Sequence, residues 1–182
     1  TINSNAIKSK DYIGKEAVLS QLLSLAHSHC SFSKLYNEIE SKRSTIELHC
    51  QFLKNQLRDA KPEYKSEIEN NVLKFNFGLI ECYQVLITKK PSLFFGKTKL
   101  KNALHKVLHC YIKVMIFYYK SYRLIPSKVL NDVHRLYQTA LHYNLSQKSL
   151  VKVPEWHNQF KTIEEMYKYC LVFKLFDLYQ FR

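Results

Sequence analysis

KTKLKNALHKVLHCYIKVMIFYYKSYR, residues 97–123, is the stretch that decides the fold. Leu104, Leu108, Tyr111, Met115, Tyr118 and Tyr122 recur at alternating spacings of four and three, the seam of a helix packed against other helices. Val107, Ile112, Val114, Ile116, Phe117 and Tyr119 fill the flanks of that seam. One strip escapes the apolar pattern, and it holds Lys99, Lys106, Lys113 and Lys120, each seven residues after the last. Seven residues are about two helical turns, so the strip drifts by only ~60° along the run. The spacing predicts a central helix over 97–123, buried on nearly every side, with a single wet, cationic edge.

Helical periods continue on both sides. A first helix is expected from about Lys15 to His29, with Val18, Leu22, Leu25 and His29 on one face and Leu19, Leu23 and Ala26 beside them. Ser31 or Ser33 suits the N-cap of a second helix running to about Asp59. Its stripe is Phe32, Tyr36, Ile39, Arg43, Ile46, Cys50, Leu53 and Leu57; Arg43, out of place there, is expected to bury its stem and keep its head at the rim, or to pair with a neighbouring Glu. Pro62 is placed to start a third helix, with Ile68, Val72, Phe75, Leu79, Cys82 and Leu86 on one face and Leu73, Phe77, Ile80 and Ile87 widening it. Pro126 ends the central helix at a corner and opens another over 127–143. Thr162-Ile-Glu-Glu165 fits a capping box for a last helix toward Arg182. Residues 1–12 lack a period and read as a disordered or tag-derived leader. The expectation is an all-α, irregular antiparallel bundle of about six helices, one domain over 13–182 and a fragment of a longer protein. No 34-residue period supports a tetratricopeptide array.

Composition agrees. The chain has 182 residues, 46% hydrophobic and 14% aromatic, with three Gly and four Pro, too apolar for disorder and too poor in turn residues for a sheet protein. The net charge of +13 is unevenly placed. Residues 1–90 carry thirteen Lys/Arg against ten Asp/Glu, and residues 91–182 carry fifteen against five. Between Glu81 and Asp132 stand ten Lys/Arg and no carboxylate, which suggests an anionic partner. The five cysteines are scattered singly without CxxC, which points to reduced thiols and a cytoplasmic location. The longest apolar run, Val107–Tyr119, has thirteen residues and contains Lys113, so it reads as a core helix and no transmembrane segment is expected.

Motifs for chemistry are absent. There is no GxSxG, no Gly-rich phosphate loop and no paired carboxylates outside the helix start at Glu164-Glu165, so no catalytic residue is assigned. His105, His109 and Cys110, and His27, His29 and Cys30, are the two clusters that metal chemistry would use. A zinc site needs three or four converging ligands, and no carboxylate lies near 105–110; neither metal nor cofactor is expected.

Two stretches carry a likeness. Tyr122-Arg123-Leu124-Ile125-Pro126-Ser127-Lys128-Val129-Leu130, running into Asp132-Val133-His134-Arg135-Leu136-Tyr137, resembles the helical part of certain gammaproteobacterial PilZ-domain proteins. Met166–Leu171 and Phe176–Arg182 resemble a later helical segment of the same proteins; together the stretches cover about a quarter of the chain. In that family the helical region precedes a PilZ barrel that binds cyclic di-GMP through RxxxR and D/NxSxxG motifs. Neither occurs here, and the glycines are Gly14, Gly78 and Gly96, so no nucleotide-binding residue carries over. The resemblance implies a helical sensory or scaffolding region whose nucleotide-binding part lies elsewhere.

The reading is a non-enzymatic intracellular helical interaction domain, the helical region of a bacterial cyclic-di-GMP signalling protein. Its partner would be a protein or a further domain of the same parent chain. The apolar end (Phe173, Phe176, Tyr179, Phe181) is the candidate interface, and Lys99, Lys106, Lys113 and Lys120 form the candidate strip for an anionic partner. The alternative is a basic module binding nucleic acid or another anionic surface.

Overall fold

Ser31 caps one of the long helices on which the architecture rests: its hydroxyl accepts from the Lys34 N–H at 3.2 Å, a bond worth about 1 kcal/mol at a helix start. In the computed structural model, which describes residues 2–89 and 96–142, the backbone forms five helices and no strand. They are α1 (Ile2–Ala26), α2 (Phe32–Asp59), α3 (Pro62–Thr88), α4 (Gly96–Tyr122) and α5 (Ser127–His142). The class is all-α as expected. The sixth helix expected from Thr162 lies outside the described residues. Helix α1 begins well before Lys15, because residues 2–13 contain neither Gly nor Pro and a formed helix propagates backward at little cost.

Contacts divide the chain into two compact units, Thr1–Phe94 and Phe95–Arg182. In the first unit α1, α2 and α3 each pack on the other two. Corners of two to five residues between such long helices force antiparallel neighbours. The α2–α3 corner is sharp because Pro62 sits in the first turn of α3, where its missing N–H costs nothing.

The core of this unit follows the predicted stripes with small rotations. Leu19, Leu22 and Ala26 are buried on α1, whereas Val18 and Leu25 are half-buried and His29 is exposed. On α2 the buried row is Phe32, Leu35, Ile39, Ile46, His49, Cys50 and Leu53. On α3 it is Val72, Phe75, Leu79, Cys82 and Leu86, with Ile80 the buried member of the second row. Fully burying a Phe such as Phe75 stabilises by roughly 1.5–3 kcal/mol. Gly78 explains how α1 comes so close to α3: a Cβ there would stand 2.7 Å from both Leu19 methyls.

In the second unit α4 packs on α5. Seven of the eight residues from Cys110 to Phe117 are buried, and Lys113 is the half-buried exception. Ile125, Val129, Leu130 and Val133 bury the opposing side of the corner and α5. The seam weakens toward the end of α4: Met115 is buried, but Tyr118 is half-buried and Tyr122 exposed, although both were expected in the core. They occupy the last turns before the chain reverses, where a phenol tip can stay wet while the ring packs.

Candidate interaction surfaces

The lysine strip is helical throughout, with ammonium-bearing positions about 10 Å apart along α4. Lys120 is exposed, whereas Lys99, Lys106 and Lys113 are half-buried. The other expected interface, Phe173, Phe176, Tyr179 and Phe181, lies outside the described residues.

The division into two units sharpens the charge map. Residues 1–94 carry thirteen Lys/Arg and ten Asp/Glu, a net +3; residues 95–182 carry fifteen and five, a net +10. Asp132, the sole carboxylate between residues 96 and 142, is engaged within the unit. It accepts from the Tyr111 hydroxyl at 3.2 Å and lies 3.7 Å from the Arg135 guanidinium.

At the α4–α5 corner the aromatics and cations converge. Arg123 has φ 56°, the left-handed region that L residues with a Cβ adopt at a cost, and its N–H bonds the Tyr119 carbonyl at 3.1 Å. The same turn lays its guanidinium 5.4 Å from the centre of the Tyr119 ring, and Tyr118 and Tyr122 pack with ring centres 5.8 Å apart. Burial raises the Tyr118 pKa. Tyr122 and Leu124 remain exposed on either side of Arg123.

The first unit is knitted by polar contacts across helices. Tyr83 on α3 donates to Glu40 on α2 at 3.0 Å, and within α2 Arg43 donates to Glu47 at 3.1 Å. Arg43 thus takes the ion-paired alternative with its head at the rim. Burial opposes its charge, but Glu47, Tyr83 and Glu40 outweigh that and raise its pKa. Lys89 reaches the Ser28 and Cys30 carbonyls at 3.2 and 3.0 Å and ties down the α1–α2 corner. His27 contacts Glu81 at 2.7 Å, and Lys74 pairs with Glu16.

Histidines and thiols are used for packing. The His49 ring meets Phe75 edge-on with centres 4.7 Å apart, and Cys50 Sγ accepts from the buried Asn76 amide at 3.6 Å. Cys30, Cys50, Cys82 and Cys110 are free thiols, and burial, with Glu81 adding to it, pushes Cys82 up to about 12. Among the described residues no group of three or more His, Cys, Asp or Glu could hold a metal ion.

A family model described as the N-terminal domain of the cyclic-di-GMP receptor FimW matches residues 15–182. The chain belongs to this family. The FimW N-terminal-domain match starts within α1 and takes in the lysine strip, the α4–α5 corner and the whole apolar end. Both stretches of the sequence likeness, Tyr122–Tyr137 and Met166–Arg182, lie inside it. No curated protein and no solved structure matches the chain. No described helix is long and apolar enough to cross a membrane.

Proposed function

We propose that this chain is the non-catalytic helical region of a cytoplasmic cyclic-di-GMP receptor protein, working as an interaction scaffold while the nucleotide binds elsewhere in the parent. The observation that carries the reading is the family match over 15–182, joined to a sequence that holds neither RxxxR nor D/NxSxxG. Two further features support it. Polar side chains of the first unit are spent on holding helices together, as where Tyr83 of α3 bonds Glu40 of α2 beside Arg43. The free thiols fit a reducing compartment.

The likeness to helical regions of PilZ-domain proteins favours a PilZ barrel as the nucleotide-binding part. In this reading Phe173, Phe176, Tyr179 and Phe181 form the face that meets that part or another protein, because aromatic side chains are the anchors interfaces use. Lys99, Lys106, Lys113 and Lys120 complement an acidic partner and set the association rate more than the affinity.

The test is a binding titration between the 182-residue chain and the separately produced remainder of the parent receptor. Association is expected, lost in Phe176→Ser and Phe181→Ser and slowed in the four-lysine Gln variant. Full-strength binding by both Ser variants would remove the apolar end from the interface.

A further inference from the structure

The α4–α5 corner pairs apolar exposure with charge in a way that core packing does not explain. Among the described residues five large hydrophobic side chains are exposed, and two of them, Tyr122 (43%) and Leu124 (44%), stand two residues apart here. Exposed cations bracket them: Lys120 before, Arg123 between and Lys128 after. The left-handed backbone at Arg123 turns the chain out of α4, so Leu124 sits on the corner itself and leaves the helix surface.

The described part of this unit offers these cations a single carboxylate. Asp132 is held by Tyr111 and Arg135. In residues 95–182, fifteen Lys/Arg face five Asp/Glu, so even complete pairing leaves ten positive charges.

Independently of the receptor reading, we propose that the corner Lys120–Lys128 docks on an anionic lipid bilayer. Tyr122 and Leu124 enter the boundary between headgroups and acyl chains, and Lys120, Arg123 and Lys128 lie on the lipid phosphates. Stable surface binding takes two signals, apolar insertion and attraction to anionic headgroups, and this corner holds both. A turn between two helices is convex, which suits a flat interface better than it suits an inserted peptide. Nucleic-acid readers rely mainly on Arg forks and polar side chains against base edges, and between Lys120 and Lys128 the corner has one Arg, Arg123. Tyr, apolar in body and polar at its tip, fits the headgroup level.

The experiment is co-sedimentation of the 182-residue chain with vesicles of phosphatidylglycerol and phosphatidylcholine, and with phosphatidylcholine alone. Binding is expected to the anionic vesicles only. Lys120→Gln and Lys128→Gln should each weaken it roughly fivefold and flatten its salt dependence. Leu124→Asp should weaken it on the order of tenfold with little change in melting temperature, since Leu124 is among the exposed side chains of the corner. Failure to bind the anionic vesicles, or equal binding by Leu124→Asp, overturns the proposal. So does a DNA duplex bound as tightly as the vesicles and equally well by Leu124→Asp, which would assign the charge to a polyanionic partner.

Discussion

The hydroxyl of Tyr83, fully buried on α3, donates to Glu40 Oε1 on α2 at 3.0 Å, and Glu40 in turn lies 3.9 Å from the Arg43 guanidinium. A buried phenol is thus anchored to a carboxylate whose charge Arg43 offsets, across the α2–α3 contact. Tyr83→Phe keeps the ring and removes the bond. It should lower the unfolding free energy by about 1 kcal/mol, read from urea titration with unchanged slope. No loss would mean that water replaces the phenol at Glu40 without cost.

Gly78 should resist replacement for a reason that helix propensity gets backwards. Alanine is the better helix former by about 1 kcal/mol, yet its Cβ would press on buried Leu19 at 2.7 Å. Overpacking typically costs about 1–3 kcal/mol, so Gly78→Ala should be neutral to destabilising. In a Leu19→Ala background the same change should become stabilising. The double-mutant cycle measures that reversal, and additive effects would place the close approach elsewhere.

Arg123 is exposed, yet its substitution should matter through its backbone. At φ 56° a β-branched residue is strained, whereas Gly is at ease. Arg123→Val should destabilise by about 1–2 kcal/mol. Arg123→Gly should be neutral or slightly stabilising, the relief offsetting the lost contact with Tyr119. Thermal melts of the two variants check the order, and Val at least as stable as Gly would contradict the left-handed turn.

Burial lowers the pKa of His105 below its ordinary value of 6.5. The unfolded chain therefore takes up this proton before the folded one does as pH falls. Stability from this site is level above about 6.5 and declines as pH drops toward the folded value. Unfolding free energies of wild type and His105→Gln, measured across that window, should diverge, with the wild type losing more. Parallel curves would show that the His105 environment titrates like water.

The helices were legible because their signals are local. Pro62, Pro126 and Ser31 mark helix starts in the sequence itself, and the period of Val72, Phe75, Leu79, Cys82 and Leu86 needs no partner to be read. What escaped depends on distant residues or on backbone angle. Lys89 reaches carbonyls some sixty positions away, Gly78 matters only because Leu19 lies against it, and nothing in the letters marks Arg123 as left-handed. The Lys strip was visible as a heptad, but the half-burial of three of its members was not, since a wheel shows direction and not depth.

Calorimetric titration of cyclic di-GMP into the 182-residue chain decides whether this region scaffolds without holding the nucleotide. No saturable heat is expected from the chain, while the full parent receptor binds. Saturable one-to-one binding by this chain alone would contradict it and place a nucleotide site within the helices themselves.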